Sequence, residues 1–91
     1  MQNSPKLYEL LIQMEEAADR ESVLKINPPF IVEYNKVMPE HCDEGSLPNL
    51  YDMARNKLLN SVDDIVSTTS VEREDELRMA RELISRIPKP E

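Results

Sequence analysis

The densest collection of reactive side chains is Glu40-His41-Cys42-Asp43-Glu44, where an imidazole, a thiol and carboxylates stand in one short stretch. A tetrahedral zinc site needs about four converging ligands. The chain holds a single His and a single Cys, so carboxylates from another segment or a second copy would have to complete the set. Nucleophilic catalysis by Cys42 is poorly served as well. Adjacent residues rarely bring thiol and imidazole within hydrogen-bond reach, and no glycine turn stands nearby to stabilise an oxyanion. The stretch is read as a solvated loop, and no catalytic, cofactor or metal residue is assigned in it.

Carboxylates on helices offer a second chemistry. Glu15, Glu16 and Asp19 spell E-E-x-x-D, and Glu72 with Asp75 spells E-x-x-D. Spacings of three and four place acids on one helical face, where magnesium can be shared. This pattern resembles the metal-binding acids of all-helical nucleotide pyrophosphohydrolases, and the resemblance implies metal-dependent nucleotide hydrolysis by helix carboxylates. It covers those residues alone, with a longer gap between the two halves than the family has. A further alternative needs no reaction: Glu33, Glu40, Asp43, Glu44, Asp63 and Asp64 as an acidic patch imitating DNA phosphates and occupying a basic groove.

The net charge is −7, and each stretch of the chain carries more acid than base. This excludes direct binding to a nucleic-acid backbone, which needs clustered Lys and Arg, and it favours a basic partner. Solubility alone accounts for such a charge equally well. With one glycine in the chain there is no glycine-rich phosphate loop, and no nucleophile elbow, dinucleotide fingerprint or EF-hand is present. A lone cysteine fits a reducing compartment. The N-terminus lacks the order of a signal peptide and no apolar run is long enough for a membrane span. The expectation is therefore a cytoplasmic protein, not an enzyme, without a cofactor.

The elements that must position any site follow from periodicity. Ser4-Pro5 is a helix start, and Leu7, Leu11, Met14 and Ala18 recur at helical spacing. The stripe loses phase after Ala18, compatible with a bend or end near Glu21; the helix is extended to 24. Asn27-Pro28-Pro29 reads as a break, because the residue before proline is pushed out of the helical region. Phe30, Tyr34 and Val37 then line a second helix up to Met38, although Phe30-Ile31-Val32-Glu33-Tyr34 also suits a strand. That strand would lack a partner, so helix is preferred. Leu47, Tyr51, Ala54, Leu58, Val62 and Ile65 form the most regular stripe, with Ser46 as cap and Pro48 in the first turn. Thr69 and Glu72 match a capping box. Leu77, Ala80, Ile84 and Ile87, with Leu83, are the apolar face that follows, while Glu74, Arg78, Glu82 and Arg86 form an alternating ladder facing water.

These readings predict an all-α domain, a small four-helix bundle with helices near 5–24, 28–38, 47–66 and 70–87. One domain spans 1–87, and 88–91 is a frayed tail. Ile12, Val32, Met53 and Leu59 are apolar residues that the core stripes do not use, and they are the interface candidates. The expected function is that of a non-enzymatic protein-interaction module, an adaptor, inhibitor or assembly factor that works through an apolar helical face, as a homodimer or on another protein.

Overall fold

The computed structural model describes residues 3–17, 19–38 and 43–90. It contains four helices in those residues: α1, Pro5–Ala17; α2, Arg20–Val37; α3, Leu47–Ser61; and α4, Ser70–Arg86. The all-α bundle and the helix 30–34, rather than strand, are as the periodicity predicts. The limits of three helices differ from expectation, and each difference has a local cause.

The first helix ends at Ala17 and the next starts at Arg20, so the division does not fall at the prolines. Asp19 is extended (φ −122°, ψ 151°), and its side chain accepts the Ser22 N–H at 3.0 Å, capping α2. That hydrogen bond, with a second from the Ser22 side chain, holds the Asp19 carboxyl below its ordinary range. The expected acid triad is divided by this turn: Glu15 and Glu16 end α1, whereas Asp19 starts α2.

Pro28 and Pro29 lie inside α2. Two side chains seven residues apart, Val23 before the pair and Phe30 after it, share one face and are both about as buried as any in the chain, at 1% exposure. The prolines themselves are exposed, so water can reach the carbonyls they leave without an intrahelical donor. Burial on one face and solvation on the other keep the helix running where local preference would end it.

Helix α3 stops at Ser61 instead of 66 because Asp63 offers the backbone another set of bonds. Its carboxylate accepts the N–H groups of Ile65 at 2.8 Å and Val66 at 3.3 Å. Ser67, fully buried, donates its hydroxyl to the Asn60 carbonyl at 2.7 Å. Ile65, expected in the core stripe, is turned out to 89% exposure. Val62 stays in place beside the core as a partly buried residue.

The caps are as expected in two cases. Ser4 accepts the Leu7 N–H at 3.1 Å, and Thr69 accepts that of Glu72 at 3.2 Å. The return half of the expected capping box differs: the Glu72 carboxylate takes the hydroxyls of Thr68 and Thr69 rather than a backbone N–H. At α3 the roles are exchanged: the Ser46 hydroxyl donates to the Asp43 carbonyl at 2.6 Å. Gly45, at φ 79°, gives its N–H to the Asn49 side chain at 3.0 Å.

The core gathers Leu7, Leu11 and Met14 from α1, Val23 and Phe30 from α2, Tyr51, Ala54 and Leu58 from α3, and Ala80, Ile84 and Ile87 from α4 and its end. Ala18 lies outside the described residues. Helices α3 and α4 make the most extensive contact and α1 and α2 the next, while α2 touches α3 only lightly. The bundle is thus a pair of helical hairpins, with α1 wedged towards α3. Phe30 bridges them, its ring centroid 6.4 Å from that of Tyr51. The Tyr51 hydroxyl donates to the Asn3 side-chain oxygen, and the Asn3 amide donates to the Pro88 carbonyl. This ties the start of the C-terminal tail to the N-terminus. Burial raises the Tyr51 phenol above its ordinary value, outweighing the Asn3 bond, with Tyr8 adding to the rise.

Candidate functional site: the trough between α2 and α3

The acids come first, since two expectations rested on them. Glu33 is buried on α2, 3.5 Å from the Ser4 hydroxyl and 3.7 Å from the Lys6 ammonium, so it pins α2 to the start of α1. Asp64 lies between two guanidinium groups, Arg73 at 2.7 Å and Arg20 at 3.6 Å. Asp63 receives the turn N–H groups described above and is half-buried. Asp43 and Glu44 are exposed, and Glu40, His41 and Cys42 lie outside the described residues.

The acids of the helix motifs are likewise engaged. Glu15 accepts from Arg81 at 2.6 Å, and Asp75 from Arg78 at 2.9 Å. Arg78 thereby pairs within α4 at i−3 and not with Glu74 of the ladder, whereas Arg86 and Glu82 pair at 2.8 Å as the ladder predicts. Among the described residues no three His, Cys, Asp or Glu side chains converge as metal ligands.

The apolar candidates divide into two kinds. Val32 and Met53 stand in solvent, whereas Ile12 and Leu59 are partly buried and packed against the core. Sequence reasoning placed Ile12 on the outer face; the core reaches further round α1 than a single stripe implies. Among the described residues, Leu24, Ile31, Val66 and Val71 are also exposed large apolar residues that were not named as interface candidates, as is Ile65, expected in the core. For Leu24 and Ile31 there was a signal. They are seven apart on one helix, but a break assumed at Asn27 placed them on different elements.

In the structure Leu24 and Ile31 line the same side of α2, facing α3 across a trough. One half, of about 270 Å³, is formed by Arg20, Leu24 and Asn27 of α2 against Leu59, Val62 and Asp63. The other, of about 240 Å³, lies between Phe30, Ile31, Tyr34 and Asn35 and the α3 residues Asp52 and Arg55. The Arg55 guanidinium reaches Asn27 at 3.5 Å where the halves meet, and it is held by Asp52 at 2.8 Å. At the far end the Tyr34 hydroxyl donates to the Pro48 carbonyl at 3.3 Å. Apolar side chains line both halves together with amides and paired charges, the Arg55–Asn27 contact crosses between the halves, and Leu59 is the interface candidate among the lining residues.

The trough is open and elongated, and its apolar side chains stand among fixed polar groups. No helix among the described residues is long and apolar enough to cross a membrane. Comparison with protein families, curated proteins and solved structures finds no match to the chain.

Proposed function

We propose that the protein is a small interaction module that works by binding another protein chain through exposed apolar helix faces, rather than by catalysis. The observation that carries this reading is the set of large apolar side chains left in solvent by a bundle that fills its core without them, including Leu24, Ile31, Val32 and Met53. Exposed apolar side chains are common one at a time. Here Leu24 and Ile31 share a helix face and border a trough that already includes Leu59 and Val62, and contiguous apolar surface of this kind marks interaction sites. The acidic surface, at net −7, steers association towards basic partners and away from acidic ones. Function as an adaptor, inhibitor or assembly factor in the cytoplasm, either on such a partner or as a homodimer, belongs to the same proposal.

The test is sedimentation of the full chain together with quantitative affinity purification, comparing wild type with a Val32→Asp, Met53→Asp and Leu24→Asp variant. The expected result is a dimer or a specifically retained partner that the variant loses while keeping its helical circular dichroism. A wild-type chain that sediments as a monomer and retains nothing the variant lacks would overturn the proposal.

A further inference from the structure

Pro28 is one turn beyond the trough residue Leu24 on α2, and its chemistry bears on what occupies the trough. Proline has no backbone N–H, so Pro28 cannot donate to the carbonyl of Leu24, nor Pro29 to that of Lys25. Two successive carbonyls on an exposed stretch of helix therefore lack their normal i+4 donors. A helical carbonyl runs along the axis towards the residues three and four further on. That of Leu24 accordingly opens beside Asn27, a trough residue, as Leu24 itself is.

The other charged groups around this half are Arg20, committed to Asp64, Arg55, committed to Asp52, and Asp63. Among the described residues the Asp63 carboxylate receives backbone N–H groups and no cation. The groups with acceptor capacity to spare are thus the Asp63 carboxylate and the Leu24 carbonyl, on a chain of net charge −7. They complement a cation. A second copy, itself strongly acidic, is opposed by the same charge.

We propose, resting on the interaction reading above, that the α2–α3 trough holds an amphipathic basic helix of a partner protein. Its apolar face lies on Leu24, Ile31, Leu59 and Val62, and a lysine or arginine at its edge donates to the Leu24 carbonyl freed by Pro28 and to Asp63. From Arg20 to Asn35 the trough follows α2 for roughly 22 Å, at about 1.5 Å per residue, so it seats a helix of about four turns. Anchors at i, i+4 and i+7 on that helix match this mode of recognition.

The experiment uses the full chain and synthetic peptides of about four helical turns: one of leucine and lysine in an amphipathic pattern, one with glutamate for lysine, and one with the lysine pattern scrambled. Fluorescence anisotropy reads binding. The amphipathic leucine–lysine peptide should bind, about tenfold or more tighter than either control. Leu24→Asp with Ile31→Asp should weaken it by about tenfold, and Val71→Asp, away from the trough, should leave it unchanged. Pro28→Ala supplies the N–H that the Leu24 carbonyl lacks, so it should raise the melting temperature and yet weaken the peptide several-fold, whereas Pro29→Ala, on another face of α2, should raise the melting temperature and leave the peptide unchanged.

Equal binding of the glutamate or scrambled peptide would overturn the proposal, as would indifference to the trough variants or to Pro28→Ala. Should no peptide bind while the chain sediments as a dimer that Leu24→Asp dissociates, the occupant is a second copy; this proposal then fails and the interaction reading stands. Absence of both peptide binding and self-association also overturns it, leaving the interaction reading to the affinity purification.

Discussion

Helix α3 meets its neighbours through two unlike seams. Towards α4 and α1 it presents Tyr51, Ala54 and Leu58, all within 1% of full burial. Ala54 and Ala80, both fully buried, let α3 and α4 come close, and the Lys57–Glu76 pair at 3.5 Å borders this seam. Towards α2 it presents Asp52, Arg55 and Leu59, and the helices part into a trough bridged by an arginine and two tyrosine-borne contacts. One helix thus carries a face that builds the fold and a face that the fold leaves available. The difference teaches that apolar content alone does not separate a closed seam from an open trough. What separates them is whether the facing helix offers small apolar residues or amides and charges.

Substitutions on either side of α3 should break or sharpen this contrast. The largest effect belongs to the closed seam. Leu58→Asp buries a charge without a counter-ion, and the variant should lose its cooperative thermal transition; the milder Leu58→Ala should cost about 2–5 kcal/mol in urea unfolding. A soluble Leu58→Asp protein with wild-type melting would contradict the bundle.

On the open side, Pro28→Ala should stabilise by about 2 kcal/mol. Proline inside a helix is about 3 kcal/mol poorer than alanine, less some gain that proline makes by restricting the unfolded chain. If urea unfolding shows a loss instead, Pro28 is held by packing and not merely tolerated on a solvated face.

Tyr51→Phe sharpens the contrast by pH. Removing the hydroxyl should cost about 0.5–1.5 kcal/mol at neutral pH. The folded phenol is raised above its ordinary value of 10.0, so its stabilisation is complete below that value and declines as pH rises through the raised one. Wild type should therefore lose stability above about pH 10 more steeply than the phenylalanine variant, as read by chemical unfolding at a series of pH values. The smallest effect is expected for Leu24→Asp, within about 0.5 kcal/mol of wild type, since its side chain stands half in solvent. A larger loss would place Leu24 in the core and close the trough.

Much of the architecture was legible because it is local. Ser4-Pro5 and Thr69 with Glu72 are caps whose donors and acceptors lie within one turn, and the stripes through Leu7, Leu11 and Met14, or Ala80, Ile84 and Ile87, follow from helical period alone. The candidate site was legible only in part. Leu59 was singled out from its position off the stripe, and Val32 and Met53 are exposed as expected. Leu24 and Ile31 were hidden because their relation depends on α2 passing through Asn27-Pro28-Pro29, which local rules oppose.

What the sequence by itself determined is the helical class, the number of helices and most of their buried faces, since caps and periodicity act over a few residues and need no partner. Only the tertiary structure decided where α1 gives way to α2, that Val23 and Phe30 hold a helix across two prolines, that Glu33 is buried against Ser4 and Lys6, and that Ile65 turns outward. Each of these sets a local preference of a few kcal/mol at most against burial or a competing hydrogen bond, and the outcome depends on which residues of distant segments are brought opposite. The trough is of the same kind. It arises between two helices whose facing residues are unremarkable in sequence and acquire their character only when laid side by side.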